Sequence, residues 1–123
     1  MSSNASMSSN AIIRVVAMDA GYEGSPAILS NVNFDVARGK VFGILGGSGC
    51  GKSTLLKHMI GLIPPLSGEA WIDGADIVTA EGEALLAIRR KFGVMYQSGA
   101  LFGSMTMLEN TRLPLEVWTD LPV

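Results

Sequence analysis

Residues 41–62 read VFGILGGSGCGKSTLLKHMIGL, and this stretch decides the fold. It falls into three parts. The first, 41–45 (VFGIL), is a continuous apolar run of the kind found in strands covered on both faces. The last, 54–62, places Leu55, Leu56, Met59 and Ile60 at i, i+1, i+4 and i+5, which builds one apolar stripe on a helix, and 61–65 (GLIPP) stops it. Between them Gly46-Gly47-Ser48-Gly49-Cys50-Gly51-Lys52-Ser53 matches G-x-x-x-x-G-K-[ST] in full. A strand before and a helix after are the context that makes this short pattern a phosphate cradle.

Each residue type in the cradle follows from physics. Glycines let the backbone curl until successive N–H groups point inward as an anion nest, and the following helix adds the positive end of its dipole. Lys52 can then reach the β- and γ-phosphates of a nucleotide, the Ser53 hydroxyl offers Mg²⁺ a hard oxygen ligand, and Thr54 gives adjacent support. A bare Gly-rich turn would have no use for a lysine at a helix start, where its charge opposes the dipole. Cys50 reads as a small filler within the nest.

Outward from the cradle, 11–18 (AIIRVVAM) is short and rich in β-branched residues, and 29–36 (LSNVNFDV) alternates apolar and polar, so the two suggest an antiparallel layer. On the other side, 69–72 and 77–78 flank Asp73-Gly74, a strong hairpin signal. Residues 81–91 read as a helix with Ala84, Leu85 and Ile88 on one face, acids at its start and Arg89-Arg90-Lys91 at its end, matching the macrodipole. Residues 92–96 (FGVMY) read as a further strand. Beyond them come a loop over 98–104, a short helix from about Thr106, and an apolar tail with Pro114 and Pro122. Residues 1–10 (MSSNASMSSN) carry no apolar periodicity and read as a disordered leader, with Ser-Ser-Asn-Ala repeated at 2–5 and 8–11.

Composition narrows the function. A chain of 123 residues with 48% apolar and 16% charged residues buries one core. The net charge of −2 argues against a general nucleic-acid binder, which would cluster Lys and Arg. One cysteine cannot form an internal disulfide and no charged, apolar leader opens the chain, so a cytoplasmic setting is expected. The longest apolar stretch, 55–66, is broken by Lys57, His58 and two prolines and falls short of the roughly 18 residues a membrane span needs.

With these residues in hand, the chain resembles the ATP-binding-cassette (ABC) transporter ATPases over 12–119. ILGGSGCGKSTLLKHMIGLIPPLSGEAWIDG looks like that family's strand, P-loop, helix and hairpin, and VMYQSGALFGSMTMLEN looks like its glutamine loop. QSGALF followed by TMLENTRLPL is similar to cassettes of the Mla and toluene-tolerance type, which serve lipid transport. The resemblance implies an α/β P-loop NTPase core, N-terminal part, with a small antiparallel β-layer, ATP and Mg²⁺ as ligands, and ATP hydrolysis coupled to transport of a lipid or apolar solute. It implies that Tyr22 stacks on adenine, that Gln97 touches Mg²⁺ and the attacking water, and that Lys52 and Gln97 serve catalysis. Transmembrane permease subunits and a second ATP-binding subunit are the implied partners, with the chain peripheral on the inner face of the cell membrane.

The departures from the family pattern are equally specific. Residues 11–123 contain neither the signature Leu-Ser-Gly-Gly-Gln nor the acidic strand end of the family, so they are expected to be the N-terminal portion of a nucleotide-binding domain from a truncated or split gene. Leu66-Ser67-Gly68-Glu69 imitates the signature but sits 14 residues after Lys52, where the family has a turn. Asp73 belongs to hairpin chemistry. His58, on the P-loop helix, is expected on a solvated face. A nucleotide-binding fragment without turnover and a small-molecule P-loop kinase, with Arg89 and Arg90 as its lid candidates, remain alternatives.

Overall fold

A computed structural model describes residues 10–47, 49–95 and 101–119. The leader at 1–9, Ser48, Tyr96 and Gln97 lie outside the described residues, as does Pro122. The chain divides into two compact units, 1–89 and 90–123.

The first unit is built on an antiparallel sheet of order β2-β1-β3-β4, with β1 at Ala11–Ala20, β2 at Leu29–Ala37, β3 at Ser67–Ile72 and β4 at Ala75–Asp76. The expected antiparallel layer is therefore present. Along β2, Val32, Phe34 and Val36 turn toward the interior while Asn31, Asn33 and Asp35 face solvent, the period-two alternation of a half-buried strand. Arg14 lies directly opposite Asp35 in the β1–β2 register and donates to both carboxylate oxygens at 2.9 Å.

β1 bends where both of its ladders slip, between Val15 and Met18 against β2 and between Val16 and Asp19 against β3. Ala17 sits at φ 46 within this bulge, and its N–H donates to the Asn33 side chain at 2.8 Å instead of to the ladder. The bulge also explains Gly68: a Cβ there would stand 2.4 Å from Met18 Cα and 2.5 Å from the Ala17 oxygen. The stretch 66–69 is thus a strand start packed on β1, as its position before the hairpin suggested. Asp73-Gly74 forms a two-residue hairpin loop with φ 50 and 80, the left-handed pair that a type I′ turn demands. The Asp73 carboxylate pairs with Arg38.

Helix α1 (Lys52–Met59) lies against β1 and β3, and α2 (Gly82–Arg89) follows β4. α1 ends in a Schellman motif: Gly61 at φ 77, its N–H on the His58 carbonyl at 3.2 Å, and the Leu62 N–H on the Lys57 carbonyl at 2.9 Å. The core holds Val15, Met18, Ala20, Leu55, Met59, Ala70, Ile72, Ile77 and Ile88.

Two expected strands do not form. Residues 41–45 and 92–95 have no ladder partner among the described residues, since the four strands pair only with one another. A buried strand needs strands paired at its edges as well as layers over its faces, and without them an apolar run forms no ladder. Val41 and Leu45 are fully exposed at 101% and 96%, and Phe42 stacks on the Phe34 ring at 4.9 Å between centroids.

In the second unit α3 (Met107–Trp118) begins close to where the sequence suggested. Thr106 caps it by accepting from the Glu109 N–H at 3.1 Å, and Glu109 accepts from the Thr106 N–H at 2.8 Å, closing a capping box. The Thr106 backbone bond, then its hydroxyl, holds the Glu109 carboxyl below the usual carboxylate range. The box is therefore complete at neutral pH and opens as pH falls through that lowered value. The helix continues through Pro114 rather than giving way to an irregular tail.

Candidate functional site

The N-terminus of α1 is where the cradle residues converge. Gly51 is its N-cap, at φ 99, and no side chain caps the helix; its first turn contains no acid. The Leu55 N–H donates to the Gly51 carbonyl at 2.9 Å, and among the described residues the N–H groups of Lys52, Ser53 and Thr54 find no acceptor, the orphan donors of a helix start. Gly49 is also left-handed, at φ 81. Gly46 is crowded, because a Cβ there would lie 2.5 Å from Cys50 Sγ. Gly47 and Gly49 face open space.

Lys52 folds back across this loop and its ammonium donates to the Gly46 carbonyl. Ser53 is exposed on the first helical turn, and Thr54 beside it is buried. Cys50 is half-buried with its sulfur against Gly46, which fits its reading as a filler of the loop. Thus Gly46, Gly47, Gly49, Cys50, Gly51, Lys52, Ser53 and Thr54 are brought together; Ser48 and Gln97 lie outside the described residues.

Tyr22 reaches the same helix from the β1–β2 connection. Its hydroxyl lies 3.3 Å from Thr54 Oγ1, and the residue is 40% exposed, so one end is tied down while the side chain stays accessible. The Ile28 N–H donates to the Ala20 carbonyl at 2.7 Å and the Ser25 N–H to the Tyr22 carbonyl at 3.0 Å, closing the loop on itself. Ile28 and Leu29 then abut Gly51, where a Cβ would fall 2.8 Å from Ile28 Cγ2. Any side chain at 51 would meet both strain from the positive φ and this clash.

His58 departs from the sequence reading. It is fully buried, not solvated. α1 buries Thr54, Leu55, His58 and Met59, so its inner face is rotated by one residue from the apolar stripe, and Leu56 is turned outward. The apolar pattern alone misplaced the face because His58 has internal partners. The Gly21 N–H donates to its Nε2 at 3.1 Å, and its Nδ1 lies 2.8 Å from the Ile63 carbonyl. The missed signal was a histidine at i+4 from the Thr54 of the cradle.

Arg89 donates to the Gly61 carbonyl at 2.8 Å, at the end of α1 remote from the cradle. A guanidinium spent there does not form a lid over phosphates, so Arg89 lends the kinase alternative no support. Among the described residues no helix is long and apolar enough to cross a membrane, and no group of three or more His, Cys, Asp or Glu side chains is arranged to hold a metal ion.

Comparison with known proteins points to one family. The family model described as ABC transporter matches residues 29–121. A Mycobacterium leprae protein named as a probable ribonucleotide transport ATP-binding protein is 47% identical over 96 residues, 78% of this chain and 28% of its own length. A methionine import ATP-binding protein of Carboxydothermus hydrogenoformans is 42% identical over 89 residues, 72% of this chain and 26% of its own. The chain thus spans about a quarter of the length of these curated relatives. Among solved structures, an ATP-binding cassette captured as a dimer in a post-hydrolysis state with ADP and Pi superposes with a TM-score of 0.79 at 31% identity, covering 90% of this chain and 50% of that one. The cbiO1 subunit of the Clostridium perfringens transporter complex cbiONQ gives 0.76 at 28%, covering 92% and 45%.

Proposed function

The chain belongs to the ABC transporter family, and from that premise we propose that it is part of an ATP-binding subunit whose Gly46–Ser53 loop holds the triphosphate of ATP. The observation that carries this reading is the uncapped N-terminus of α1 with Lys52 beside it. A helix start with orphan N–H groups, left-handed glycines and no acid attracts an anion, and the Lys52 ammonium, now on a loop carbonyl, exchanges that oxygen for a phosphate oxygen. Tyr22, exposed beside the cradle, offers its ring to the base.

The exposed Ser53 hydroxyl fits Mg²⁺, which takes oxygen ligands and keeps several of them from phosphate and water. Bound there, Mg²⁺ neutralises charge that develops on the phosphates. Ser53 and Gln97 are its proposed protein ligands, and Lys52 and Gln97 the proposed catalytic residues.

In the whole protein the reading extends to ATP hydrolysis that drives transport, with permease subunits and a second cassette as partners, on the cytoplasmic face of the membrane. The dimeric cassette with ADP and Pi, and the cassette that is part of a transporter complex, support this. For the solute, the QSGALF and TMLENTRLPL segments support a lipid or apolar cargo of the Mla and toluene-tolerance type. The names of the relatives favour a second reading, ribonucleotide or methionine import. Reconstitution with the cognate permease, supplying each solute class in turn, separates them by which one stimulates ATPase activity.

The test of the present chain is phosphate release from Mg·ATP by the purified 123-residue protein. Residues 1–123 contain no signature and no acidic strand end, so turnover is expected at the baseline set by Lys52→Ala. Turnover that disappears in Lys52→Ala contradicts this and makes Glu69, Asp73 and Asp76 the first carboxylates to mutate.

A further inference from the structure

We propose that His58 is a positioning residue for the nucleotide base: its ring fastens the Gly21–Tyr22 segment to α1, so that the aromatic platform and the phosphate cradle keep one fixed separation. The inference rests on the reading of Tyr22 as the base platform.

Burying an imidazole is costly. His58 is fully buried, and a polar ring in that position is tolerated only when its nitrogens are satisfied. Both are. The Ile63 carbonyl can only accept, so Nδ1 carries the hydrogen; Nε2 is then a bare acceptor and takes the Gly21 N–H. The two partners select the neutral tautomer with Nδ1 protonated.

The ring's partners come from different places. Ile63 follows the Schellman turn of α1 itself, which fixes the ring relative to its own helix. Gly21 is 37 residues away and leads directly into Tyr22. Gly21 is buried and closely enclosed, since a Cβ there would lie 3.0 Å from Leu66 Cδ1 and 3.3 Å from Ala27 Cα. An aliphatic residue at 58 would fill the space and leave the Gly21 N–H without an acceptor.

Thr54 and His58 share the inner face of α1 one turn apart, and they hold neighbouring residues: Thr54 the Tyr22 hydroxyl, His58 the Gly21 backbone. The same helix presents its N-terminus to the phosphates. The span from base to triphosphate is a property of the nucleotide, so a platform referenced to that helix binds without first having to be ordered.

The experiment titrates the 123-residue chain and its variants with Mg²⁺ complexes of ATP, GTP and inorganic triphosphate, which has no base. His58→Leu, keeping volume and losing the acceptor, is expected to weaken ATP and GTP about fivefold or more while leaving triphosphate within about twofold. His58→Gln, whose side-chain oxygen can accept from Gly21, is expected to recover most of the loss. In a Tyr22→Ala background His58→Leu is expected to add no further loss. Equal weakening of all three ligands, or additive losses in the double variant, overturns the inference and leaves His58 a core residue. Tyr22-sensitive binding that ignores His58→Leu overturns the inference alone, whereas ATP binding that ignores Tyr22→Ala overturns the platform reading beneath it. Should His58→Leu fail to fold, amide hydrogen exchange on the wild-type chain decides: protection of Gly21 equal to that of Leu55 in α1 supports the tether, and rapid exchange at Gly21 overturns it.

Discussion

Tyr22 and the residue before it are tied to α1, by Thr54 and by the His58 bond to Gly21, whereas among the described residues the loop from Gly46 to Gly49 is bonded through the Lys52 ammonium and one Cys50–Gly47 backbone bond of 3.3 Å. Gly47 and Gly49 have nothing within 4 Å of a built Cβ. The base end of the site is thus fastened by bonds within the protein, and among the described residues the phosphate end is a set of donors with few internal acceptors. A ligand therefore orders the two ends differently: at the base end it meets a surface already made, and at the phosphate end it supplies acceptors to the donors of the helix start.

The substitution with the largest expected effect removes the phosphate end's charge. Lys52→Ala should weaken ATP by about 3 kcal/mol or more, through loss of charge-assisted bonds to phosphate. Inorganic triphosphate should suffer equally. Calorimetric titration of both ligands checks this, and an unchanged affinity moves the site elsewhere.

Gly51→Ala sharpens the comparison at the residue where the two ends touch. Its φ of 99 and the 2.8 Å approach to Ile28 Cγ2 leave no room for a methyl group. The cost is expected at about 1 to 3 kcal/mol, seen as a lower melting temperature and weaker binding of ATP and triphosphate together. A variant that melts like the wild type would show that the contact is slack.

The smallest effect belongs to the base. Tyr22→Ala should weaken ATP and GTP alike by about 1 to 2 kcal/mol, because stacking reads a ring face and little else. Triphosphate should bind as before. A matching loss for triphosphate would mean that Tyr22 acts through folding.

What the sequence disclosed follows the range of the interactions. The cradle, the Asp73-Gly74 turn and the start of α3 near Thr106 are local: each is specified by residues within a few positions of one another. The β1–β2 layer was legible because its alternation is strict over Val32, Phe34 and Val36. The 41–45 run was not, because a covered strand is made by its neighbours and its own composition says nothing of their presence. Helix α1 was legible as a helix, but its buried face was not. Counting apolar residues put Leu56 inside and His58 outside, and the decisive partner of His58 lies far upstream at Gly21. The bulge at Ala17 was equally hidden, since it depends on Asn33 and on Gly68, each on a different strand.

The most direct test of a two-ended nucleotide site is a backbone amide NMR titration of the chain, first with Mg²⁺ and inorganic triphosphate, then with Mg·ATP. Triphosphate alone is expected to shift the amides of Gly47, Gly49, Gly51, Lys52 and Ser53, and the Tyr22 ring signals to move only when the base is present. Shifts confined to other parts of the chain, or Tyr22 signals that respond to triphosphate as strongly as to ATP, would contradict it.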